Sequence, residues 1–144
     1  MSYCTTDDLI KVLPEADLIR LTDDADSGTL DTAKAQEAID RADQEINAYI
    51  GGQVKLPISG TTPAILAKLS ADLAVYNLYS RVMSEIPETW RERRKAAVRL
   101  LEQFAEGKIT LGVQPAPTAP SSYPRGVQTE TRDQIFTSTE LDKY

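Results

Sequence analysis

Residues 62–83, TPAILAKLSADLAVYNLYSRVM, constrain the fold more than any other stretch of this chain. Thr62 is placed to cap a helix, and Pro63 to occupy a first turn where a missing N–H costs nothing. No further Gly or Pro occurs until Pro87. Ile65, Leu66, Leu69, Leu73, Tyr76 and Met83 recur at helical spacing, and Ala64, Ala67, Ala71, Ala74, Val75, Leu78 and Tyr79 widen the apolar stripe beyond one face. Only Lys68, Asp72 and Arg81 carry charge. A helix apolar around most of its girth needs neighbours on several sides. The pattern therefore predicts a central helix about 30 Å long in an all-α fold. Lys68, Asp72, Asn77 and Arg81 interrupt any run long enough to cross a bilayer, so no membrane partner is expected.

Candidate neighbours lie on both sides of it. Residues 30–50 read as an amphipathic helix capped by Asp31, with Ala35, Ala38, Ile39, Ala42, Ile46, Tyr49 and Ile50 on one side and Lys34, Glu37, Asp40, Arg41, Gln44 and Glu45 mostly on the other. Its alanines predict close approach to another helix, and Gly51-Gly52 reads as a glycine C-cap. Residues 87–106 form a third long helix with Trp90, Ala97, Val98, Leu101, Phe104 and Ala105 inward and Gly107 as its stop. Two short helices open the chain. One is capped by Thr5 or Thr6 and buries Leu9, Ile10 and Leu13; the other, 14–21, buries Leu18, Ile19 and Leu21. Leu56 and Ile58 flank Pro57 in a connector that tucks into the core. The expected architecture is a compact bundle of three long helices plus short N-terminal helices, over residues 1–112.

From residue 113 the composition changes. QPAPTAPSSYPRG carries four of the eight prolines, which predicts an extended linker over 113–126. Within the extended C-terminal tail, 113–144, Ile135, Phe136, Leu141 and Tyr144 restore some apolar character. A tether followed by a few apolar anchors is how a segment docks on a partner, and these four are the docking candidates.

The residue census excludes several chemistries. The chain has no histidine and a single cysteine, Cys4, so Ser–His–Asp, Cys–His and His/Cys zinc sites are all unavailable. Cys4 reads as a small, half-buried residue in a reducing compartment, and the opening MSYCTTDDL has neither the basic region nor the apolar run of a secretory leader. The acidic loop 22–29 invites a calcium reading. Counted from Asp23, Gly28 falls at the sixth position, but the twelfth is Lys34 where a bidentate Glu is needed, so the loop reads as a solvated turn. No carboxylate pair stands out for acid–base work, and no glycine-rich phosphate loop is present. The expectation is no enzyme, no catalytic residues, no metal and no cofactor.

The net charge of −6 is unevenly spread. The first fifty residues hold twelve acids against four bases, while residues 51–112 hold nine bases against six acids. The run Arg91-Glu92-Arg93-Arg94-Lys95 is the densest basic cluster. It could meet phosphates, but Glu88, Glu92, Glu102 and Glu106 share its helix and the chain is acidic overall, which disfavours specific DNA recognition. Segregated charge of this kind suits contact between an acidic face and a basic face on another copy.

The order of these pieces resembles the Mu-like phage small morphogenesis protein family, found in head–tail gene clusters. The resemblance is carried by Tyr3-Cys4-Thr5-Thr6-Asp7-Asp8-Leu9, Leu18-Ile19-Arg20-Leu21-Thr22-Asp23, Ala42-Asp43-Gln44-Glu45-Ile46-Asn47-Ala48-Tyr49-Ile50 and Leu56-Pro57-Ile58. It continues through Asp72-Leu73-Ala74-Val75-Tyr76-Asn77-Leu78-Tyr79, residues 91–97, Leu100-Leu101, Ala105-Glu106-Gly107-Lys108-Ile109-Thr110-Leu111 and the tail at 132–136. An Arg-Tyr pair usual in the family before the connector is replaced here by Gln53-Val54-Lys55. The resemblance implies a helical fold similar to head–tail connector, or head-completion, proteins. These assemble as rings, commonly of twelve copies, under the portal and extend the DNA channel. The implied partners are further copies of the chain, the portal, and a tail or tail-completion protein, with DNA passing non-specifically through the ring. The implied location is the virion, after assembly in the bacterial host cytoplasm. On this reading the subunit-interface candidates are Glu37, Asp40 and Glu45 on the acidic helix and Arg91, Arg93, Arg94, Lys95 and Arg99 on the basic one. Two alternatives are a small nucleic-acid-binding regulator using 91–95 and a tail-completion protein.

Overall fold

The structure, a computed structural model, describes residues 1–117. The tail candidates Ile135, Phe136, Leu141 and Tyr144 lie outside the described residues. Among the described residues five helices follow in order: α1 Thr6–Val12, α2 Glu15–Thr22, α3 Thr32–Ile50, α4 Ala64–Val82 and α5 Glu88–Ala105. The protein is all-α, as the apolar periodicity predicts. Among the described residues the one β-type pairing is an isolated antiparallel bridge between Val54 and Pro115.

Helix α4 is the hub and packs against each of the other four helices. Leu66, Leu69, Leu73, Val75 and Leu78 are essentially inaccessible along it, while Ala71 and Ala74 let neighbouring backbones approach. Burying each large aliphatic side chain contributes about 1.5–3 kcal/mol, so this helix dominates the core. Its most extensive partner is α3, whose Ala35, Ala38, Ile39, Ala42, Ile46 and Ile50 point inward as the alanine-rich stripe predicts. Trp90, Ala97, Leu101 and Phe104 bring α5 against the same core, and Leu9, Leu13, Leu18 and Leu21 close one end of it.

The caps refine the sequence reading. Thr5 and Asp8 form a reciprocal capping box: the Thr5 hydroxyl accepts the Asp8 N–H and the Asp8 carboxylate accepts the Thr5 N–H. Asp31 accepts the N–H groups of Ala33 and Lys34 and starts α3. Thr62 does not cap α4. The helix starts at Ala64 after Pro63, which occupies the N-cap position without a side-chain bond. Gly51 is not a left-handed cap either, since its φ of −60° keeps it right-handed and the chain continues into a turn. The left-handed stop is at Gly107, φ +71°, where the Gly107 N–H reaches Phe104 O and the Lys108 N–H reaches Gln103 O, the Schellman pattern.

Two loops depart further from expectation. The acidic loop after α2 is tied down rather than merely solvated. Asp24 receives two hydrogen bonds at 2.8 Å from Arg81 of α4 and an ion pair at 2.7 Å from Lys34 of α3. Two carboxylate oxygens facing a guanidinium make the bidentate geometry that orders such a loop. The proline-rich segment begins extended but is pinned to the body. The Lys55 N–H donates to Gln114 O and the Ala116 N–H to Gln53 O, so residues 113–117 belong to the folded unit.

Candidate functional site

The basic cluster on α5 divides in two because of helical geometry. Arg91, Lys95 and Arg99 recur every four residues on one exposed stripe. Arg93 and Arg94 turn toward the bundle. Arg93 lies 4.7 Å from the centre of the Trp90 ring and donates at 3.2 Å to Asp72 of α4, whose carboxylate is buried and also receives Lys68 at 3.0 Å. Trp90 itself packs against Tyr79 with ring centres 6.1 Å apart. Arg94 stacks over Tyr76 at 4.9 Å and pairs with Glu45 of α3 at 3.0 Å. Thus two of the five cations expected at a subunit interface, together with Glu45, join α3, α4 and α5 inside one chain.

The outward stripe is only partly neutralised. Arg91 pairs with Glu88 and Lys95 with Glu92 at 2.8 Å, each along the helix, and Arg99 makes no ion pair among the described residues. A shallow groove of about 470 Å³ follows this surface, bounded by Arg94, Lys95, Val98 and Arg99. Glu37 and Asp40 are exposed on α3. Glu37 pairs with Arg41 at 2.6 Å, and Asp40 accepts Gln36 at 2.9 Å, so neither reaches the α5 stripe.

A second recess is apolar. It measures about 320 Å³ and lies where the ends of α3 and α5 meet, lined by Ile50, Val54, Phe104, Ile109, Leu111 and Val113. Ile109 is 37% exposed there, among the most exposed large hydrophobic side chains described. Pro115 also lines this recess, two residues before the described chain ends.

The polar group that sequence reasoning missed is inside the bundle. Asp43 is buried between α3 and α4, accepting Ser70 Oγ at 2.5 Å and the Tyr3 N–H at 3.0 Å. The Tyr3 hydroxyl donates to Asn47. Cys4 lies 3.1 Å from Ser70 and is 2% exposed, fully rather than half buried. Burial pushes its thiol up to about 11, partly opposed by the Ser70 hydrogen bond, so it is no thiolate nucleophile at neutral pH. The signal was present in the sequence, since Asp43 falls next to Ala42 and four residues after Ile39 on an otherwise apolar stripe. Among the described residues no group of three or more acidic or cysteine side chains is gathered to hold a metal.

Comparison with known proteins places these features. The family described as Bacteriophage Mu, Gp36 matches residues 3–129, which spans every helix and both recesses and stops short of 132–136. A relative in Haemophilus influenzae, the Mu-like prophage FluMu protein gp36, is 36% identical over 85 residues, 59% of this chain. The matched region spans 57% of that relative's length.

Proposed function

Because the chain belongs to the bacteriophage Mu Gp36 family, a family of phage and prophage proteins, we propose that it is a structural subunit of a tailed phage or prophage, acting at the head–tail junction as a connector. In this role the protein binds and does not catalyse. It forms a ring with further copies of itself under the portal, lines the passage for DNA, and presents a surface to a tail or tail-completion protein. Its place is then the virion.

The observation that carries the reading is the division of charge on the outer surface. A ring uses heterologous contacts, so one surface of the subunit must fit a different surface of the next copy. Arg91, Lys95 and Arg99 stand outward on α5, Glu37 and Asp40 stand outward on α3, and the two sets do not pair with each other within the chain. Arg93, Arg94 and Glu45, the other candidates, each pair with a neighbouring helix of the same subunit, Arg93 with its side chain still 44% exposed.

Electron microscopy of the purified protein, alone and mixed with portal, tests the proposal. Rings stacked on portal are the expected result, and the absence of any bound density on portal would sink the connector reading. Reversing Arg91, Lys95 and Arg99 to Glu should abolish those rings, with the unreversed protein assembling less well as salt rises and the Debye length falls below about 8 Å. Unaltered rings in the reversed protein would remove this face from the interface.

A further inference from the structure

We infer that the apolar recess at the ends of α3 and α5 is a docking site for the chain's own Ile135-Phe136 segment, folded back on the subunit that carries it. The recess is lined by side chains from three places: Ile50 at the end of α3 with Val54 just after it, Phe104 at the end of α5, and Ile109, Leu111 and Val113 in the segment leading out. Ile50, Val54 and Phe104 form a buried floor, Leu111 and Val113 are half-buried walls and Ile109 is left open, so the recess of about 320 Å³ has room for one or two more large apolar groups.

The path of the chain selects the occupant. The backbone bonds from Lys55 to Gln114 and from Ala116 to Gln53 hold the exit at the rim of the recess. Seventeen residues, 118–134, separate Pro117, the last residue described, from Ile135. A random coil of that length has a root-mean-square span of roughly 20–25 Å, enough to return to a recess that starts at its own anchor. Within 118–144, Ile135-Phe136 is the single place where two large apolar residues adjoin. The tether gives this pair an effective concentration of about 1 mM at its own recess, so an intrinsic affinity near 100 μM suffices to fill the site most of the time. Docking masks the recess in the free subunit and leaves it available to whatever displaces the tail.

The test uses a labelled peptide of residues 130–144, with binding to the full chain read by fluorescence anisotropy. The expected result is binding to an Ile135→Ser/Phe136→Ser chain about 10-fold tighter than to the unaltered chain, whose own tail competes. Adding Ile109→Asp to the Ser variant should abolish binding while the circular dichroism spectrum stays helical; Leu111→Ser provides a second, milder alteration of the same wall. Three results would overturn the inference. Peptide that binds neither chain rejects docking. Equal binding to both chains rejects the folded-back geometry and points to exchange between copies. Binding that survives both Ile109→Asp and Leu111→Ser rejects the recess as the site.

Discussion

Replacing Asp43 with Asn isolates a carboxylate whose titration is dominated by burial. It is 4% exposed and hydrogen-bonded to Ser70 Oγ at 2.5 Å and the Tyr3 N–H at 3.0 Å. Burial raises its carboxyl above the ordinary aspartate range, opposed by those two hydrogen bonds, while the Asp40 charge adds to the rise and the N-terminal amine counters it. A carboxyl with a raised pKa holds its proton more tightly in the folded chain than in the unfolded one. Its contribution to stability is therefore complete below the unfolded value, about 3.9, and is lost as pH climbs from there through the raised value. Each unit of rise corresponds to about 1.4 kcal/mol. Asn has the shape of the protonated acid, does not titrate, and keeps one acceptor oxygen. Its NH₂ meets a donor where the second oxygen was, a mismatch costing about 1–3 kcal/mol. Asp43→Asn should thus be less stable than the unaltered protein at pH 4, and the gap should narrow between pH 4 and 7. Urea unfolding followed by circular dichroism at each pH measures it. Asp8, held at about 2 by Lys11 and Thr5, and the lowered Asp23, Asp31 and Glu92 give stability that is lost toward acid pH, but they are common to both proteins and cancel in the difference. A gap that is flat, or that widens with pH, would show that desolvation does not dominate at Asp43.

Other outcomes follow from single contacts. Thr5→Ala removes the capping box of α1 and should cost about 1 kcal/mol in chemical unfolding, with Thr5→Ser restoring most of it. Gly107→Ala forces a Cβ into the left-handed stop of α5, where nothing nearer than the Gln53 side chain at 3.8 Å crowds it, so the roughly 1–2 kcal/mol expected is backbone strain and should appear as a lowered Tm. Trp90→Ala opens a cavity beside Tyr79 and removes the surface on which Arg93 stacks; a loss of about 3–5 kcal/mol is expected, and Trp90→Phe should recover a large part of it.

The long helices were legible because their signals are local. The girth of apolar residues on α4 announces a hub, Asp31 announces the start of α3, and Gly107 the end of α5. Less was legible for residues whose meaning depends on a distant partner. Asp24 looks like part of a solvated acidic run until Arg81, 57 positions away, grips it. Arg94 and Glu45 look like surface charges on two helices until packing brings those helices together. Asp43 and Ser70 are polar residues at core positions, and only their mutual distance shows why both are tolerated. The apolar recess had no local signature either, since Ile50, Phe104 and Leu111 come from three separate segments.

The pinning of residues 114–116 onto 53–55 also has a mechanical meaning. A pull on the chain beyond Pro117 loads the Ala116–Gln53 bond first, then the Lys55–Gln114 bond, and only afterwards the turn that closes α5. Short antiparallel contacts of this kind open one bond at a time, like a seam unpicked from its end. The exit thus acts as a weak link in series with a stiff bundle: tension on the tail is relieved by local peeling before it reaches the packed helices.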